Sequence, residues 1–229
     1  MRTSCLIFPV LLIFSIFGHA QKYNEQINLK KYAVANSELP APARNEKRVV
    51  FIGNSITQAW AEKRPDFFTA NNYIGRGISG QTSPQLLSRF RQDVINLKPA
   101  AVLINIGTND IAENTGSYNE DFTLGNIISM AELAKANKIK VILSSVTPAG
   151  QYPWRKEIQD VPGKIQSLNA RIKAYAAANK FAYVDYYSSL HDENHALIKS
   201  CTTDGVHLSV QGYEIMEKLA KEVISRKVR

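Results

Sequence analysis

Cysteine is nearly absent from this chain of 229 residues: Cys5 and Cys201 are the only two. Cys5 falls in a segment expected to be removed, so the mature chain would keep Cys201 alone. No intramolecular disulfide is then available, and the fold must rest on its core. Internal repeats and low-complexity tracts are also missing, which sets aside solenoid and disordered classes. Basic residues outnumber acidic ones 28 to 20, for a net charge of +8, yet no basic run exceeds a pair such as Lys30-Lys31. Scattering of that kind predicts a solvated surface and no nucleic-acid partner, since a nucleic-acid groove calls for a clustered stripe.

Long apolar runs are confined to the start of the chain. Met1-Arg2-Thr3-Ser4 leads into an apolar run from Cys5 to Phe17, followed by Gly18-His19-Ala20-Gln21. One positive residue, a short hydrophobic run and a small residue at the break predict a secretory signal peptide over residues 1–20, cleaved after Ala20. Pro9 interrupts the run, which is short for a membrane span. Cys5 also lies too early to carry a lipoprotein anchor. Export to the periplasm or the medium is expected, with no stable membrane anchor. Residues 1–20 contain Arg2 and no acid, so their removal takes the charge from +8 to +7. The remaining chain of about 209 residues suits one domain with a sizeable core.

Residues 21–46 read as a short amphipathic lead-in and a linker, Leu39-Pro40-Ala41-Pro42-Ala43, before a domain over residues 47–229. In that domain apolar strands alternate with helical periodicity. The strands are Arg48–Ile52, Asn72–Ile74, Ala101–Ile106, Lys140–Val146 and Phe181–Val184. Ser83 as cap with Pro84 in the first turn predicts a helix burying Leu86, Leu87, Phe90 and Val94. Ser117 and Glu120 stand at capping-box spacing before another helix. Pro162 opens a third, and a last one starts near Ser209. Five strands alternating with helices predict a parallel sheet covered on both faces, a three-layer α/β/α, flavodoxin-like domain.

In such a sheet the loops after the strands share one edge, where open α/β folds bind ligands. Strand 1 ends in Gly53-Asn54-Ser55, and Ser55 stands either as a helix cap or as a nucleophile. Strand 2 leads to Gly75-Arg76-Gly77-Ile78-Ser79-Gly80-Gln81-Thr82, and strand 3 to Gly107-Thr108-Asn109-Asp110. Strand 4 leads to Tyr152-Pro153-Trp154-Arg155, and strand 5 is followed by Thr203-Asp204-Gly205-Val206-His207. A serine nucleophile needs a base, a carboxylate to hold that base, and oxyanion donors. His207 suits the base, and Asp204 can reach its other ring nitrogen across a glycine turn. The backbone N–H groups of Ser55 and Gly80 and the Asn109 amide can point at one oxygen.

These ordered blocks resemble the SGNH (GDSL-type) hydrolase superfamily, named for the Ser, Gly, Asn and His they carry, over nearly the whole mature chain. The resemblance implies Ser55, Asp204 and His207 as the triad, with Ser55, Gly80 and Asn109 as the oxyanion hole. Two positions depart from the pattern: Asn54 and Gln81 stand where Asp is usual. Secreted acetylesterases and platelet-activating-factor-acetylhydrolase-like enzymes are among the relatives the resemblance suggests. Small acyl esters, acetyl on a carbohydrate, are the expected substrate, with no cofactor or metal. A lysophospholipase or thioesterase with the same triad, and a non-catalytic glycan-binding module, are the alternatives. Tyr152, Trp154 and Arg155 are candidates for binding the substrate.

Other patterns compete. Gly75-x-Gly77-x-x-Gly80 matches a dinucleotide fingerprint, but no acid follows at the end of the next strand. His191 and His195 have zinc-helix spacing, without the glutamate or a third ligand. Asp185 is the alternative acid for His207. Asp110 is expected to brace the Asn109 loop, and Trp60 and Cys201 to be core residues.

Overall fold

In a computed structural model, Glu25 and residues 27–228 are described; the expected signal segment and its cleavage point lie outside them. The elements run α1 (Ala33–Glu38), β1 (Val49–Gly53), α2 (Ser55–Lys63), α3 (Pro65–Thr69), β2 (Tyr73–Gly77), α4 (Ser83–Asp93) and β3 (Ala101–Asn105). They continue with α5 (Thr108–Ile111), α6 (Glu120–Ala136), β4 (Lys140–Ser144), α7 (Val161–Ala178), β5 (Ala182–Val184), α8 (Tyr187–Leu190) and α9 (Val210–Lys227). All five strands are parallel, in the order β2-β1-β3-β4-β5. That order is the flavodoxin-like arrangement.

Alternation within the strands builds two cores. Val50 and Ile52 of β1 face a core with Val102, Ile104, Leu143 and the apolar stripes of α4, α6 and α7. Val49 and Phe51 face the other way, onto Ile56 and Trp60 of α2 and Tyr213, Met216 and Ala220 of α9. Both faces of β1 are therefore buried, which is why it reads as an unbroken apolar run. Trp60 is 1% exposed and meets Phe51 edge-to-face at 5.4 Å. Cys201 is buried in the same core.

Helix starts differ from the sequence reading by small offsets. Thr82, not Ser83, caps α4, through a capping box with Gln85. Asn119, not Ser117, caps α6, accepting from Phe122 N–H at 2.9 Å. Each competing residue lies one or two positions from the true cap, so spacing alone could not choose. The lead-in is docked rather than free. Asn36 donates to Asp93 and accepts from Arg76, the Tyr32 hydroxyl donates to Gly77 O, and Gln81 reaches Ile27 O.

Candidate active site

Chain order reverses between β1 and β3, so the crevice of the sheet opens at their carboxyl ends. Ser55 follows β1 and Asn109 follows β3, one on each side of that point. The cap reading of Ser55 fails because Asn54 does the capping: its Oδ1 accepts from Ile56 N–H at 3.0 Å. Ser55 is thereby the first residue of α2, with its hydroxyl free to turn outward. Asn54 thus retains the helix-capping role of an aspartate, although its buried Nδ2 finds no partner among the described residues.

The turn fits only because glycine flanks it. A Cβ on Gly77 would stand 2.1 Å from Gln58 N and 2.7 Å from Asn54 O. Tyr213 of α9 donates its hydroxyl to Ile56 O at 2.9 Å, fixing the turn from below.

His207 Nε2 lies 2.9 Å from Ser55 Oγ, and His207 Nδ1 lies 2.7 Å from Asp204 Oδ2. Asp204 Oδ1 accepts from the N–H groups of Val206 and His207, so the glycine turn at positive φ wraps around its own carboxylate. Partial burial pushes the Asp204 carboxyl up, but its hydrogen bonds from the His207 ring and the two N–H groups outweigh that and hold it below the ordinary carboxylate range. An ionised Asp204 makes Nδ1 the protonated ring nitrogen and leaves Nε2 to accept from the serine.

Gly80 sits at φ +77°, with open space in front of it. Ser79 N–H, next to it, donates to Gln58 of α2. Neither Ser55 N–H nor Gly80 N–H finds a protein acceptor among the described residues. Asn109 Nδ2 spends one hydrogen on Gln81 O at 2.9 Å and keeps the other. Gln81 is 2% exposed and uses both ends of its amide, accepting from Arg89 and donating to Ile27 O. An aspartate there could only accept.

Asp110 ties the Asn109 loop to α4, as expected: both its oxygens accept from Ser83 N–H, and Oδ1 from the Ser83 hydroxyl at 2.6 Å. Burial raises its pKa to about 6 against the opposing pull of the Ser83 bonds. A raised folded-state pKa means that the folded chain holds this proton longer than the unfolded chain does. The contribution to stability accordingly falls as pH rises from about 4 to about 6. Thermal melts of Asp110→Asn against wild type should show a difference that shifts in the variant's favour across that window; a difference constant with pH would contradict the assignment.

The three aromatic-loop candidates separate. Tyr152 is fully buried, so it packs under the loop and cannot touch substrate; the sequence could not show that the chain turns inward there. Trp154 is 42% exposed, its ring 6.1 Å from that of His207 and its indole N–H on Asn114 Oδ1. Arg155 donates to Glu113 O and pairs with Glu113 and Glu157. Beside Gly80 lies a groove of about 390 Å³ lined by Ser79, Gly80, Gln81, Gln85, Asn114, Thr115 and Arg155. Asn114 was not singled out by sequence, yet it links Trp154 to Gly80 O.

The competing patterns fall elsewhere. Gly75 and Gly77 lie inside β2 rather than in a phosphate loop. His191 and His195 face each other at 5.2 Å over Tyr187, and no group of three or more metal-binding side chains occurs among the described residues. Asp185 pairs with Lys173 and caps Ser188 N–H, leaving Asp204 on His207.

A hydroxyl, an imidazole and a carboxylate in line, beside unpaired backbone donors at the switch point of a parallel sheet, are the equipment of a carboxylic ester hydrolase. The chain belongs to the GDSL-like lipase/acylhydrolase family, whose model matches residues 51–215. A GDSL-like lipase from Bacteroides thetaiotaomicron is 63% identical, with a TM-score of 0.86 over 88% of this chain and 98% of that one. A candidate acylhydrolase from Bacteroides fragilis is 59% identical, with a TM-score of 0.88 over 89% of this chain and 98% of that one. An acetylxylan esterase from Geobacillus stearothermophilus shares the fold at 21% identity, with a TM-score of 0.62 over 78% and 94% of the two chains. An N-acylneuraminate cytidylyltransferase of Escherichia coli is 26% identical over 193 residues, and the chain covers 79% of itself but only 43% of that protein.

Proposed function

We propose that the chain is an exported serine esterase that removes small acyl groups, acetyl above all, from carbohydrate esters. The observation that carries this reading is the Ser55–His207–Asp204 relay, with a groove of polar side chains and backbone at Gly80; the groove that reaches Asp204 itself is lined by Gly150, Gln151, Pro153, Ala196 and Leu197. A long acyl chain needs an apolar channel, whereas hydroxyl-rich acceptors need hydrogen-bonding walls. Asn114, Thr115, Gln85 and Arg155 supply such walls, and Trp154 adds an exposed ring face on which a sugar can stack.

In this reading Ser55 Oγ attacks the ester carbonyl while His207 Nε2 takes its proton. Asp204 steadies the imidazolium that forms. The developing oxyanion is held by the N–H groups of Ser55 and Gly80 and by the second hydrogen of Asn109 Nδ2. His207 returns the proton to the departing sugar hydroxyl. With acetyl left on Oγ, His207 draws a proton from water as the water oxygen attacks that acetyl, then returns the proton to Oγ as acetate leaves, which restores Ser55.

Asn109→Ala should lower kcat roughly 10²–10³-fold with a small change in KM, because the lost donor serves the transition state. Steady-state kinetics on a small acetyl ester decides it; a rise in KM with kcat intact would remove Asn109 from the oxyanion site. The substrate class is tested by acetate release from acetylated xylan against fatty-acid release from lysophosphatidylcholine. Faster lipid hydrolysis would replace the carbohydrate reading with a lipolytic one.

A further inference from the structure

Residues 27–36 of the lead-in are held to the domain by polar contacts more than by packing. α1 buries none of its side chains; ahead of it Ile27 is buried and Leu29 exposed. The hydrogen bonds fall in two sets. In the first, Asn36 Nδ2 donates to Asp93 at 2.7 Å, Asn36 Oδ1 accepts from Arg76 at 2.8 Å, and Leu29 O accepts from Gln92. These tie the segment to α4 and β2. The second set brackets Gly80. The Tyr32 hydroxyl donates to Gly77 O, three residues before it, and Gln81 Nε2, one residue after it, donates to Ile27 O at 2.7 Å. The Arg76 guanidinium lies 4.8 Å over the Tyr32 ring and holds it in place. Burial pushes the Tyr32 pKa up against the pull of Arg89 and Arg76, so the hydroxyl stays a donor.

A leading segment can serve only to cover the surface beneath it, and cover calls for apolar contacts spread along its length. Here two polar contacts land on either side of the glycine whose N–H the mechanism uses. Gly80 stands at φ +77° with nothing within 4 Å of where a Cβ would be, so hydrogen bonds rather than packing hold its peptide. Those from Ser79 N–H to Gln58 and from Asn114 to Gly80 O are open to solvent, whereas that from Gln81 to Ile27 O is buried and free of competing water. The same bond accounts for glutamine where the family pattern has aspartate. A carboxylate could accept from Arg89 but could not donate to Ile27 O.

We propose that residues 27–36 are a strap that positions the oxyanion loop. Tyr32 and the Ile27 carbonyl are its positioning groups, acting through Gly77 and Gln81 on the Gly80 N–H. Gln81 O accepts from Asn109 Nδ2, so the second side-chain donor is steadied by the same residue. The strap rests on the reading of Gly80 and Asn109 as oxyanion donors, and it holds whatever the acyl acceptor is. Its hydrogen bonds go to the loop, β2 and α4, and none reaches Ser55, Asp204 or His207 among the described residues. It therefore bears on the step that builds charge on the carbonyl oxygen, and leaves substrate binding and the titration of His207 alone.

The test uses the full chain, with p-nitrophenyl acetate as substrate, well below the melting temperature of each variant. Tyr32→Phe removes the bond to Gly77 O and keeps the ring under Arg76. Gln81→Glu keeps an acceptor for Arg89 and sets a second acceptor against Ile27 O. Each should lower kcat about tenfold, with KM within roughly twofold and the acid limb of the pH profile in place. Inhibition by methylboronic acid, whose tetrahedral adduct on Ser55 puts an oxygen at the oxyanion site, should weaken by a similar factor. Val34→Ala, exposed on α1, should match the parent throughout. Parental kcat and boronate inhibition in both strap variants, with Asn109→Ala slow, would overturn the strap and leave the oxyanion assignment standing, even if both variants melt earlier. Asn109→Ala at the parental rate would overturn that assignment and the strap with it.

Discussion

Ser55→Ala and His207→Ala should each lower kcat for a small acetyl ester roughly 10⁴-fold or more while leaving the fold intact. The hydroxyl and the ring are half-buried at the protein surface, and their removal empties no core. Their effects should not add. Once Oγ is gone there is no proton for Nε2 to take, so the double variant should be no slower than either single one. Asp204→Asn should act through the same relay, because an amide can present its NH₂ to Nδ1 and so favour the wrong tautomer. Steady-state kinetics with melting curves would separate these effects from unfolding. A double variant much slower than the singles would show that the two groups work in different steps.

Arg89→Met should cause the largest loss of stability and lower turnover as well. Arg89 is wholly buried in α4, and its guanidinium makes three hydrogen bonds, two to separate pieces of the site and one to Asp93 at the end of its own helix. Nε donates to Gln81 Oε1 at 2.6 Å, Nη2 to Gly53 O at 2.9 Å, and Nη1 to Asp93 at 2.9 Å. Gly53 ends the strand that carries Ser55, and Gln81 offers its carbonyl to Asn109. In the proposed mechanism Arg89 is thus a positioning residue that joins the Ser55 turn to the loop carrying Gly80 and Gln81. Burial pushes its pKa down, and Asp93 pulls it back up.

Removing the cation leaves Asp93 buried and without its ionic partner, at a cost of about 3–5 kcal/mol. Arg89→Met with Asp93→Asn should recover part of that stability, since the stranded charge goes too. Turnover should remain at least roughly tenfold down in the double variant, because the ties to Gly53 and Gln81 are still missing. Recovery of kcat in step with the melting temperature would show that Arg89 serves the fold alone.

Much of this was legible in the sequence, and the physical reason is the parallel sheet. Strands buried on both faces leave unbroken apolar runs such as Val49–Ile52, and all their following loops share one edge. Residues separated by as much as 152 positions, Ser55 and His207, could therefore be placed together before any distance was known. Asp204 and His207 were readable because a three-residue loop with a glycine can close only locally. Arg89 was not, although its i,i+4 relation to Asp93 was a signal. An arginine between Leu86 and Phe90 looks like a solvated position unless the neighbouring carbonyls that bind it are known. Tyr152 and Trp154 were read alike, yet one is buried and the other exposed, since only tertiary packing decides which ring turns inward.

The assignment of Ser55 as nucleophile is tested most directly by an organofluorophosphonate, which forms a covalent adduct only with a serine activated as the relay predicts. Mass spectrometry of the folded wild-type protein should find one adduct on Ser55, absent in Ser55→Ala and much slower to form in His207→Ala. A correctly folded wild type that hydrolyses esters without labelling, or that labels at another residue, would contradict it.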